Sequence, residues 1–161
     1  MKKRILSLLL AVSLLPTSAF AADGESNYSD PPKVGWQVTK NEKTDTESTE
    51  ADRVTLATKD ENIFKTVKKI SFDQNDKIIF SVNVDPQYAE NTTYEWHRYM
   101  RQWNGTKIDI TDFELGETAS TLTMDGIYAG TGKYNRYYCV VSCTIGGKVY
   151  TGRIIFQCTV S

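Results

Sequence analysis

The chain is poor in the residues that do chemistry. Its 161 residues include a single histidine, only three cysteines and no surplus of positive charge. One imidazole makes neither a metal site nor a general base without convergent partners. His97 follows a tryptophan in an alternating stretch, so strand parity turns it outward beside Glu95, with Asp109 on the next strand the other acid expected nearby. No serine sits in a Gly-x-Ser-x-Gly turn, and Gly130-Thr131-Gly132 precedes no helix that would cradle a phosphate. Asp73, Asn75 and Asp76 lack the glycine and distal glutamate of a calcium loop and read as a turn. The expectation is a non-enzymatic protein with no catalytic residue, no metal and no cofactor.

An odd set of cysteines argues against a disulfide framework. Cys139 and Cys143 fall four residues apart on one strand, which places them about 13 Å from each other at ~3.3 Å per residue. A bridge needs Cα atoms within about 7 Å. A hairpin through Gly146-Gly147 sets Cys143 opposite Tyr150 and Cys139 opposite Ile154, so Cys158 also lies out of reach. Cys139 and Cys143 therefore read as buried thiols acting as small apolar residues. Cys158, nearer the end of the sequence, is the one expected to be open to pairing between molecules.

Long apolar runs are missing too, except at the start. Lys2, Lys3 and Arg4 precede an apolar stretch from Ile5 to Leu15, and Ala19-Phe20-Ala21 has the small-x-small form of a cleavage site. Residues 1–21 thus read as a secretory signal peptide, too short to span a bilayer. No cysteine follows the cleavage site, so no lipid anchor is expected. Cleavage removes three basic residues and no acidic ones from 19 basic and 20 acidic, leaving a net charge of −4. That balance excludes nucleic acid and anionic membrane surfaces as natural partners. The expected location is outside the cell, or the periplasm.

What remains is a series of short alternating segments. Residues 22–64 form a polar leader, disordered to about Pro32, and an N-terminal extension. Val34 to Thr39 and Arg53 to Thr58 are its two candidate strands, with the acidic run from Asn41 to Asp52 a solvated loop between them. Residues 65–161 hold the main domain. Its ambiguous opening fits either one helical face (Ile63, Val67, Ile70) or an edge strand from Val67 to Phe72. After the turn at residues 73–76, strands are expected over 77–84, 93–102, 107–111, 120–127, 136–144 and 148–160. Asn104-Gly105 marks a tight hairpin. Strands recurring about every ten residues with turn residues between them indicate an all-β antiparallel sandwich.

Within that series Trp96, Leu122, Tyr137 and Cys139 occur in order, with Val82 upstream. The pattern resembles the immunoglobulin-like domain family, in a bacterial secreted form, over residues 65–161. The resemblance implies that Trp96 packs on the core beside Cys139 and that Tyr137 occupies the corner at the start of the strand over 136–144, its hydroxyl turned onto the backbone. It also implies that Val82 replaces the cysteine of the inter-sheet bridge, so Val82, Trp96, Leu122, Tyr137 and Cys139 are the expected core. The chain departs from the family at Lys133-Tyr134-Asn135-Arg136-Tyr137, where the usual acidic residue before the corner is missing. The family hosts many unrelated tasks, so it names no ligand.

Strand parity offers one candidate surface. With Trp96 facing inward, Tyr99 and Arg101 face outward on the same strand, leading to Trp103. Tyr138 and Val140 face outward on the next, and Arg153 and Ile155 on the last. Tyr, Trp and Arg are enriched at binding hot spots, and contiguous exposed apolar area marks interfaces. The reading is a binding or adhesion module that takes a protein ligand, or a second copy of itself, on this face or through the end loops. Carbohydrate is the alternative, with Trp103, Tyr99 and Tyr88 offering flat rings. Two plainer accounts compete: cross-strand ring pairs that merely stabilise the sheet, and a cover formed by the segment from Trp36 to Thr58.

Overall fold

The computed structural model describes residues 30–58, 64–66, 69–125 and 135–160, with only the backbone described at 64–66, 102 and 160. The expected signal peptide, most of the polar leader and the loop over 126–134 lie outside the described residues. The architecture is all-β, with two mostly antiparallel sheets packed face to face.

The described residues form twelve strands: β1 (Lys33–Lys40), β2 (Lys43–Glu47), β3 (Val54–Thr55), β4 (Ala57–Thr58), β5 (Phe64–Thr66), β6 (Ile70–Phe72), β7 (Lys77–Val84), β8 (Thr92–Trp103), β9 (Ile108–Glu114), β10 (Thr121–Asp125), β11 (Asn135–Ile145) and β12 (Lys148–Val160). The first sheet runs β10-β7-β1-β2, with β3 also on β1. The second runs β4-β12-β11-β8-β9, with β5 and β6 also on β12. The turn at Gly146-Gly147, both with positive φ, sets Cys143 against Tyr150 and Cys139 against Ile154, the register expected from the sequence. The hairpin between β8 and β9 is looser than the expected two-residue turn. Asn104 N–H reaches the Lys107 carbonyl at 3.1 Å, and the Asn104 side-chain oxygen accepts from the N–H groups of Thr106 and Lys107.

Alternation supplies the core. Along β7, Ile78, Phe80, Val82 and Val84 point in, while β11 contributes Tyr137, Cys139, Val141 and Cys143. At the centre Phe80 stacks on Phe156 (4.4 Å between centroids) and Trp96 stacks on Phe156 (5.8 Å). Fully burying one such side chain stabilises the fold by about 1.5–3 kcal/mol. Trp96 keeps its one polar group satisfied, donating Nε1–H to the Ala119 carbonyl at 2.9 Å. Val82, Leu122, Tyr137 and Cys139 all lie in this core. Tyr137 packs against Phe80 (5.9 Å) with the Arg98 guanidinium over its ring, and its hydroxyl makes no backbone hydrogen bond among the described residues.

The N-terminal part departs most from expectation. A boundary at residue 65 does not separate an extension from a domain, because β1 pairs with β7 from Val34 to Lys40 and buries Val34, Trp36 and Val38 in the shared core. The polar run 41–52 is not a loop throughout: β2 pairs with β1, and a 3-10 turn follows at Glu50–Asp52. Its strand is exposed on an outer edge, so backbone pairing holds it and no apolar period betrays it. Asn41 and Glu42 both adopt positive φ, the geometry of a tight primed hairpin turn. The expected single strand at 53–58 is split. β3 pairs in the first sheet and β4 in the second, with buried Leu56 at the crossing. Gly152 makes room there, since a Cβ on it would lie 2.8 Å from a Leu56 methyl. The leader is pinned at its end, where Pro32 is buried and its carbonyl accepts from Leu56 N–H. The ambiguous segment resolves as strand where it is described, β5 and β6 running parallel to β12.

Candidate functional site

The outer face of the second sheet carries the candidate site. Its rows follow from the register: Asp112, Tyr99 and Arg136 lie side by side across β9, β8 and β11. In the next row come Glu114, His97, Tyr138 and Ile155, and then Glu95, Val140 and Arg153. Between the first two rows is a cavity of about 280 Å³ lined by Tyr99, Asp112, Arg136, Tyr138, Arg153 and Ile155. Four of these residues were expected on this face. Arg136 and Asp112 were not, although Arg136 has the same parity as Tyr138, and Asp112 lies one residue past the expected end of its strand.

Tyr138 is the floor of the site and not the exposed ring expected. Only 7% of it is accessible. Its ring stacks on His97 at 4.6 Å and 4°, the Arg153 guanidinium lies 5.5 Å above it, and its hydroxyl donates to Asp112. Burial and the neighbouring Asp112 carboxylate hold the Tyr138 phenol well above the ordinary tyrosine range, so it stays a neutral donor. His97 is clamped at both nitrogens, with Nε2 2.9 Å from Glu95 and Nδ1 3.4 Å from Asp112. Asp109, the acid expected beside it, instead accepts from the Asn104 amide at 2.6 Å and pairs with Lys107. His97 is thus a bracket within the sheet surface, linking β8 to β9.

The other expected positions divide clearly. Tyr99 is half-buried, with the Arg136 guanidinium 6.0 Å over its ring. Ile155, Val140 and Arg153 are partly accessible, and Arg101 is exposed. Trp103 is 65% exposed at the hairpin end. Ile108 and Ile110, also exposed, pair with Trp103 and Arg101 and extend the apolar surface to the β9 edge. Tyr88 is lost to the site: it is 3% exposed in a 3-10 helix at Pro86–Asn91, and its hydroxyl donates to the Asp30 carbonyl. The segment from Trp36 to Thr58 does not cover the face, because Trp36 is inside the core and β1 belongs to the other sheet.

The cysteines take no part in the site. All three are free and buried, Cys158 included at 1% exposure, which withdraws it from pairing between molecules. Its side chain faces the core opposite β6, and burial pushes the thiols of Cys139 and Cys158 up to about 12, leaving them protonated and unreactive. Among the described residues no cluster of three or more His, Cys, Asp or Glu side chains is placed to hold a metal ion. Searches against protein families and curated proteins found no match for the chain.

Proposed function

We propose that this chain is an exported, non-enzymatic binding module of immunoglobulin-like type that recognises a protein through the outer face of its second sheet. The carrying observation is the juxtaposition of a small cavity ringed by Tyr99, Arg136 and Arg153 with the exposed stripe Trp103, Ile108 and Ile110. Rings and guanidinium groups beside contiguous apolar area are the composition of binding hot spots. The immunoglobulin-like reading is supported by the adjacency of β7 to β10, by β11 flanked by β8 and β12, and by Trp96 against Cys139. Export is supported by the pattern of residues 1–21. The two acids at His97 bracket the ring within the surface, which favours a structural role over a general base.

Carbohydrate is a second reading, favoured by the exposed ring of Trp103. The test is a triple variant, Tyr99→Ser, Trp103→Ser and Ile155→Thr, compared with the parent in pull-downs from bacterial and host surface extracts and on a glycan array. Tyr138 is left intact because it is the floor of the sheet. A protein captured by the parent and lost by the variant supports the proposal. A glycan lost in the same way would transfer the site to the second reading, and equal capture by both proteins would end it.

A further inference from the structure

We infer that the cavity around Tyr138 receives an acidic side chain of a protein partner, with Arg136 as the group that binds its carboxylate. The inference rests on the binding reading above and supplies its chemistry. Among the described residues Arg136 makes no ion pair, and its Nε, buried from solvent, has no hydrogen-bond acceptor. Its guanidinium is held over the Tyr99 ring at 6.0 Å. A guanidinium lying on a ring keeps the fork of its terminal Nη–H groups free to meet a carboxylate in its plane. A guanidinium that lines a cavity and has no ion-pair partner among the described residues is a half-built ion pair.

Charge and size point the same way. Two cations, Arg136 and Arg153, line the cavity against one anion, Asp112, and Asp112 is already engaged by the Tyr138 hydroxyl and by His97. Within the lining the guanidinium groups outnumber the carboxylate, with Glu95 and Glu114 in the adjoining rows. Its volume of about 280 Å³ falls just below the range of ligand cavities, which run roughly 300–1,000 Å³, and suits one side chain better than a whole small molecule. Ile155 and the Tyr99 and Tyr138 rings supply apolar walls for the methylene stem of a glutamate. The exposed stripe Trp103, Ile108 and Ile110 would hold apolar residues flanking it.

The experiment uses an array of peptide pairs that differ only in Glu or Gln between aliphatic and aromatic neighbours, with sialylated and uronic-acid glycans spotted beside them. The exported chain should retain Glu peptides over their Gln partners, and added salt should weaken that preference. Arg136→Gln should lower affinity for the Glu peptides about tenfold or more, while Arg136→Lys, which keeps the charge without the fork, should fall between. Should Arg136→Gln fail to fold, the Arg136 Nε–H resonance of the unaltered protein still reports, and it should shift with a Glu peptide and stay with the Gln peptide. Equal binding of both peptide types, binding of neither, or retention of the acidic glycans alone overturns the inference. If Tyr99→Ser weakens peptide binding and Arg136→Gln does not, the carboxylate contact is wrong and the binding face stands. If neither variant matters, both fall.

Discussion

The two sheets share one core and one parity rule, yet they present opposite surfaces. On the outer face of the first sheet, β1, β7 and β10 carry Gln37, Thr39, Ser81, Asn83, Thr121 and Thr123 around one half-buried Ile79, and Gln37 spends its amide on the Thr44 hydroxyl at 2.8 Å. The equivalent face of the second sheet carries Tyr99, Arg136, Arg153, Ile155 and Trp103. Both sets satisfy the fold equally, since neither touches the core. Small polar residues are what a solvated sheet surface requires. Rings and guanidinium groups in the same structural position exceed that requirement, and the excess is what makes the second face a candidate for recognition.

The largest effect should come from breaking what the sheets share. Trp96→Ala removes the ring that stacks on both Phe80 and Phe156 and should cost about 3–5 kcal/mol, measured by chemical denaturation. A variant that unfolds at the parent's denaturant concentration would mean that the sheets do not meet over Trp96. Next is the crossing between them. Gly152→Ala drives a methyl group into Leu56 and should cost about 1–3 kcal/mol, with Leu56→Ala in the same chain relieving part of it. Strict additivity of the two losses would count against that contact.

One acid-sensitive contact lies wholly within the first sheet and its turn. Asp76 accepts from Lys40 Nζ at 2.8 Å, from the Asn41 amide at 2.7 Å and from Asp73 N–H at 2.8 Å, which ties the turn before β7 to the β1–β2 hairpin. Lys40 foremost, then the Asp73 N–H, holds its carboxyl down at about 2, below the ordinary value of about 3.9. A lowered carboxylate pKa contributes stability that is complete above about pH 4 and is lost as the pH falls through about 2. Melting temperature followed across that window should drop less steeply in Asp76→Asn than in the parent.

The smallest effect separates the faces. Gln37→Ser with Thr123→Ser on the first face, and Tyr99→Ser with Trp103→Ser on the second, should each change stability by about 1 kcal/mol per position at most. Only the second pair should change binding. If both pairs weaken capture of a partner equally, the contrast between the faces has no functional content.

How much of this was readable beforehand depends on where a strand lies. β7, β8, β11 and β12 each bury one side, so their alternation, the double-glycine turn and the core positions Trp96 and Cys139 could be read from residue order. β2 has no buried side and left no such trace. β3 and β4 are too short for a period, and their switch between sheets shows only when Leu56 is seen at the crossing. For the site, parity found Tyr99, Arg153 and Ile155. It also placed Tyr138 correctly in direction, but missed its cover, because His97 and Arg153 reach it from neighbouring strands through contacts that no single strand encodes. Arg136 was available by parity and went unread.

The tiling of β12 has a kinetic meaning. β4, β5 and β6 lie in turn along one edge of this 13-residue strand, joining positions as distant as Ser71 and Thr159, 88 residues apart. Contacts of such long range form only after a large loop has been closed, which slows folding. Until residues 148–160 arrive, the earlier strands have no Phe156 or Ile154 to close their core, and three short segments wait without a partner. A chain that emerges from its N-terminus would therefore stay unfolded for most of its length, and become a sandwich only once residues 148–160 are free to pair.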